Sequence, residues 1–136
     1  MIDCLIMGDS IAVGTEQFKP QCYAYAKGGI NSWQFNQQYV KGRKNDFGAE
    51  VVIISLGSND HAGVKTYNEL YKLRERVKAQ RVYWVLPNPE TFPKQAEDVK
   101  LIALSFGDFV IQTKRYQKDK VHPSWAGYKE IVDQAE

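Results

Sequence analysis

No run of apolar residues in this 136-residue chain approaches the roughly 18 that a membrane span needs, so no spanning helix is expected. Charge of one sign is not in excess either: the formal net charge is +2 and the lysines are scattered. A nucleic-acid footprint needs a basic stripe, and without one nucleic acid is not expected as a partner. The densest basic stretch, "YVKGRKND" at 39–46, reads as a solvated loop between two elements. Cysteine is scarce. Cys4 and Cys22 stand in apolar stretches with neither C-x-x-C nor Cys/His ligand spacing, which predicts two buried free thiols and no metal site. The opening Met-Ile-Asp-Cys lacks a basic n-region and a long apolar h-region, so no secretory signal is expected and the cytosol is the default location.

What is present fits one folded domain over residues 1–136, with 43% hydrophobic and 25% charged residues, near globular averages. Residues 2–7 and "VVIISL" at 51–56 are continuous apolar runs, as expected of strands covered on both faces in a parallel sheet. "CYAYA" at 22–26, "VYWVL" at 82–86 and "FVI" at 109–111 bring the expected strands to about five. Between them lie helical patterns. Thr66 and Glu69 predict a capping box ahead of Leu70, Leu73 and Val77. Pro93 fits the first turn of a helix whose face is Ala96, Val99, Ile102 or Ala103 and Phe106, with Gly107 ending it. Pro123 is expected to open a last helix with Trp125, Tyr128, Val132 and Ala135 on one stripe. Strands alternating with helices predict a three-layer α/β/α sandwich, in which ligands sit beyond the carboxyl ends of the strands.

Those ends carry polar residues of a particular kind. Gly8-Asp9-Ser10 follows the first run, Gly28-Gly29-Ile30-Asn31-Ser32 the second and Gly57-Ser58-Asn59-Asp60-His61 the third, while Asp119-Lys120-Val121-His122-Pro123 precedes the last helix. A serine hydroxyl is a weak nucleophile until a base takes its proton, and that base needs a partner to orient it. The chain has two histidines, His61 and His122. Asp119, three residues before His122 in a turn, is placed to reach the imidazole, so His122 reads as the base and His61 as a loop or substrate-contacting residue. Acyl transfer also needs donors for a developing oxyanion, and the N–H groups of Ser10 and Gly29 with the Asn59 amide suit that role. Each residue alone has a blander reading: a helix-start charge for Asp119, a surface loop for His122, turn formers for Gly28, Gly29 and Asn59.

Taken in order, "GDS", the glycine pair, "GSND" and "DKVHP" closely resemble the blocks of the SGNH hydrolases, the GDSL-type esterase and lipase family. The resemblance runs through nearly the whole chain. It implies Ser10 as nucleophile and oxyanion donor, Asp119 and His122 as its partners, and Asn59 and a block-two glycine as the other donors. It also implies a flavodoxin-like fold with a five-stranded parallel sheet, and no metal or cofactor. The second block, "YAYAKGGINS", lacks the usual polar residue before its glycine, so Gly28 and Gly29 compete; Gly29 is preferred for the polar residue two positions later. The G-x-S-x-G nucleophile elbow is not matched, because residue 12 is Ala.

A chain this short has little room for the insertions that form lids and acyl tunnels, which predicts an open site. The expected activity is therefore a serine esterase acting on a small acyl ester, an acetyl group on a carbohydrate foremost. A thioesterase or lysophospholipase is the enzymatic alternative, and a glycan-binding module without turnover the non-catalytic one. Trp33 and Phe35 follow the block-two loop; core packing is the favoured reading, and stacking on a sugar ring is the alternative that makes Trp33, with His61, a candidate substrate contact.

Overall fold

The computed structural model describes residues 2–135. Five strands alternate with five helices: β1 Ile2–Gly8, α1 Ser10–Phe18, β2 Tyr23–Ala26, α2 Ser32–Phe35, β3 Phe47–Ser55, α3 Thr66–Glu75, β4 Val77–Val85, α4 Pro93–Phe106, β5 Phe109–Ile111 and α5 Trp125–Gln134. A wider π turn, Asn36–Val40, prolongs α2. All strand pairs are parallel, in the order β2-β1-β3-β4-β5, the flavodoxin-like arrangement.

The apolar runs are continuous because both sheet faces are covered. Leu5, Met7, Val52, Ile54 and Trp84 pack with Phe35, Leu70, Leu73, Val99 and Ile102 from α2, α3 and α4. The alternate residues Ile6, Ile53, Tyr83 and Val85 pack with Ile11 and Ala12 of α1 and Ile131 of α5. This is the expected three-layer sandwich. Gly107 ends α4 in the left-handed region at φ 69°, as anticipated from its position. Among the described residues no helix is long and apolar enough to cross a membrane.

Several local expectations are corrected. Cys4 and Cys22 are not free thiols but a disulfide. The parallel register that pairs Leu5 with Tyr23 sets their neighbours side by side, with Cα atoms 4.8 Å apart. Such bonds persist in oxidising compartments and are rare in the cytosol. The Thr66–Glu69 capping box does not form. The Thr66 hydroxyl instead donates to Asp60 Oδ2 at 2.7 Å, and Glu69 Oε1 accepts from Asn36 Nδ2 at 2.9 Å. Val77 is not the last turn of α3 but the first residue of β4, where it pairs with Phe47. Pro123 lies one residue ahead of the α5 cap, which is Ser124, and the helix buries Gly127 and Ile131 and leaves Trp125 exposed. Phe35 packs in the core as expected, but Trp33 does not: 51% of it is exposed.

Candidate active site

The carboxyl end of β1 turns sharply into α1. Gly8 adopts φ 143°, and a Cβ there would collide with the Ser55 carbonyl of β3, so only glycine fits this close approach. Asp9 caps the helix by accepting from Ile11 N at 3.0 Å, and Ser10 is the first helical residue, half-buried. Its N–H lies in the first turn, where backbone donors have no intrahelical acceptor.

From the far end of the chain, the turn before α5 brings His122 to Ser10. Ser10 Oγ lies 2.8 Å from His122 Nε2, and His122 Nδ1 lies 2.6 Å from Asp119 Oδ2. The second carboxylate oxygen of Asp119 accepts from the N–H groups of Val121 at 2.9 Å and His122 at 3.0 Å. The hydrogen bond from His122, aided by these backbone donors, lowers the Asp119 pKa to about 2. An ionised Asp119 requires the proton on Nδ1, which leaves Nε2 to accept from the Ser10 hydroxyl. The group opens to solvent: the side chains of His122 and Asp119 are 35% and 44% exposed.

The block-two loop borders the same hydroxyl. A Cβ on Gly28 would sit 3.9 Å from Ser10 Cβ, and Gly29 turns the chain at φ 79°. Asn59 Nδ2 donates to the Ile30 carbonyl at 3.0 Å, which leaves its second N–H uncommitted to that bond. Asp60, not singled out from the sequence, locks the two loops together. Its carboxylate accepts from Ser32 N at 2.8 Å and from the Ser32 and Thr66 hydroxyls at 2.7 Å each, while its carbonyl accepts from Gln95 Nε2 at 3.0 Å. The "GSND" run was a signal for Asn59, and its next letter was the missed one.

Asp9 is a second residue whose role shows only in the structure. It is wholly buried, with Oδ1 accepting from Ile11 N and from the Ser55 hydroxyl at 3.2 Å, and Oδ2 without a partner. Burial raises its pKa to about 7, against the opposing pull of the Ile11 and Ser55 hydrogen bonds.

His61 is not hydrogen-bonded to Ser10, Asp119 or His122. It is exposed, and its Nδ1 accepts from Gly63 N at 3.1 Å. Together with Trp33, Asn31 and Lys65 it lines a groove of about 470 Å³ beside the block-two helix. Among the described residues no cluster of His, Cys, Asp and Glu forms a metal-ligand set.

No family model matches the chain, and no curated protein sequence does. Solved structures do. A GDSL-like lipase from Bacteroides thetaiotaomicron superposes with a TM-score of 0.68 at 16% identity, covering 97% of this chain and 86% of that one. A member of the lipolytic G-D-S-L family from Veillonella parvula gives 0.66 at 16% identity over 98% and 96%. The C-terminal catalytic domain of peptidoglycan O-acetyltransferase A from Streptococcus pneumoniae, solved with a methylsulfonyl adduct, gives 0.62 at 15% identity over 97% and 89%. At such identities the shared property is the fold, end to end.

Proposed function

We propose that this chain is an SGNH hydrolase, a serine esterase that removes a small acyl group, an acetyl ester on a carbohydrate foremost. One observation carries the reading: the unbroken hydrogen-bonded chain from Ser10 Oγ through His122 to Asp119. The fold shared with GDSL-like lipases and an O-acetyltransferase catalytic domain supports it.

In the reaction, Ser10 Oγ attacks the ester carbonyl as its proton passes to His122 Nε2. Asp119 stays ionised throughout, because its lowered pKa leaves no protonated population near neutrality, and it stabilises the imidazolium. The oxyanion is met by the Ser10 and Gly29 N–H groups and the free N–H of the Asn59 amide. His122 then protonates the leaving alcohol, and the C–O bond breaks to leave an acetyl-Ser10 ester. Water, deprotonated by the same nitrogen, attacks that ester; acetate departs and the hydroxyl is restored. No step calls for a metal or cofactor.

The openness of the triad and what flanks it support this substrate class. Half-exposed His122 and Asp119 suit a small acyl group on a bulky carrier better than a long chain that must be sheathed from water. The exposed Trp33 face in the groove with His61 offers a platform for a sugar ring.

Treatment with a fluorophosphonate probe tests the mechanism. Labelling of the wild type that disappears in Ser10→Ala is expected; labelling independent of Ser10, or none, refutes it. A panel of p-nitrophenyl esters tests the substrate class. Preference for acetyl is expected, and preference for chains of about eight carbons or more turns the assignment to a lysophospholipase or thioesterase. Glycan binding that survives Ser10→Ala, with no ester hydrolysed, would leave a binding module.

A further inference from the structure

We propose that Asn88 is a positioning residue of the triad, its amide and the Thr91 hydroxyl holding the Lys120 carbonyl so that Asp119 and His122 stay aligned on Ser10. This rests on the reading of those three residues as the reacting group. Among the described residues, Lys120 is the one non-glycine with a positive φ, at 61°. An L side chain enters that region against a steric cost, so the surroundings must hold it there. They do so at the carbonyl, which accepts from Asn88 Nδ2 at 2.8 Å and from Thr91 Oγ1 at 2.7 Å.

Lys120 lies between Asp119 and His122, within a turn closed by Lys120 N to Gln117 O at 3.0 Å and Gln117 N to His122 O at 2.8 Å. The turn is thus a small rigid unit whose orientation is set where it is fastened. The fastening is rigid as well. Asn88 is 4% exposed and stands between Pro87 and Pro89, whose rings restrict the backbone on both sides. Its Oδ1 accepts from Glu90 N at 3.1 Å, which fixes the amide so that Nδ2 faces Lys120. Its own carbonyl accepts from Phe92 N at 2.8 Å and Thr91 N at 3.1 Å, which folds Thr91 back to the same target. The segment leaves β4 directly, so the geometry of the sheet reaches the triad through the Asn88 amide and the Thr91 hydroxyl.

The experiment compares wild type, Asn88→Ala, Lys120→Gly and the double variant, all shown to be folded by circular dichroism. With p-nitrophenyl acetate, Asn88→Ala should lose about ten- to a hundredfold in kcat with KM within about twofold, since a misplacement near 1 Å costs on that order. Glycine takes the left-handed conformation without being held, so the double variant should regain at least about fivefold in kcat over Asn88→Ala. A merely structural asparagine would give no such rescue. A substrate-free readout is the downfield NMR signal of the proton shared by His122 Nδ1 and Asp119. It should be present in the wild type, broadened in Asn88→Ala and sharpened in the double variant. Unchanged kcat and an unchanged signal in Asn88→Ala overturn the proposal. A signal that responds in a protein without esterase activity overturns the function and leaves the positioning role standing.

Discussion

Replacing Asp9 by asparagine removes a buried titration next to Ser10 in the chain, and its effect on stability has a defined sign and size. The folded protein holds the Asp9 proton up to a pKa of about 7, whereas the unfolded chain releases it near 3.8. Between those values the folded state binds more protons than the unfolded one, so the stability that Asp9 contributes is complete below about pH 4 and declines as pH rises towards 7. The separation is about three pKa units, and at about 1.4 kcal/mol each the decline is on the order of 4 kcal/mol. Asp119 does not blur this window: its pKa is lowered to about 2, so its contribution is present above about pH 4 and fails only on further acidification. The assay is urea unfolding of wild type and Asp9→Asn, followed by tryptophan fluorescence from pH 4 to 8. With an m-value of about 2 kcal/mol/M, the wild-type midpoint should fall relative to that of Asp9→Asn by about 2 M across the range. The variant's amide retains the acceptor for Ile11 N but places an N–H where Oδ2 had no partner, an offset that does not vary with pH, so only the slope of the difference matters. A difference that stays flat with pH refutes the reasoning and means that Asp9 is ionised in the folded protein at neutrality.

Three further outcomes are expected. Reduction of the Cys4–Cys22 bond frees a loop that spans 18 positions and contains Ser10, and should cost about 3 kcal/mol, read as a lower urea midpoint in dithiothreitol that Cys4→Ser no longer shows. Asn59→Ala should lower kcat about 10²- to 10³-fold with little change in KM, and a loss confined to KM would remove Asn59 from the oxyanion site. Trp33→Ala should raise KM about tenfold for an acetylated oligosaccharide and leave p-nitrophenyl acetate nearly unaffected; equal effects on both would place the ring outside the sugar contact.

The fold was legible because burial on both faces of a parallel sheet writes itself as unbroken apolar runs, and "LIMG" and "VVIIS" carry that mark. Boundaries were less so. Phe47–Glu50 alternates buried and exposed residues and Val77–Arg81 is mostly exposed, so both look like loop or helix end, yet they extend β3 and β4 because each supplies the other's ladder. Val77 satisfied a helical spacing and a strand pairing equally well by sequence, and the pairing prevailed. The disulfide was hidden for a related reason. Cys4 and Cys22 come together through the pairing of β1 with β2, a contact that no spacing within the chain encodes.

The site divides along the same line. In the proposed mechanism Ser10, Asn59, Asp119 and His122 act through side chains whose chemistry narrows the options, so their residue types after the strands and before the last helix are informative in the sequence. Asp60, Asn88 and Thr91 act by holding other groups in place, and such a role can fall to any residue with the right donors. Lys120 contributes a carbonyl, which every residue has, and its left-handed backbone is visible only in three dimensions. The Ser10–His122 distance of 2.8 Å joins residues 112 positions apart, so it is fixed from both ends: by the Gly8 turn against β3 and by the Asn88 fastening against β4. A substitution at either anchor should therefore act on kcat as strongly as many changes within the groove act on KM, although neither anchor touches substrate.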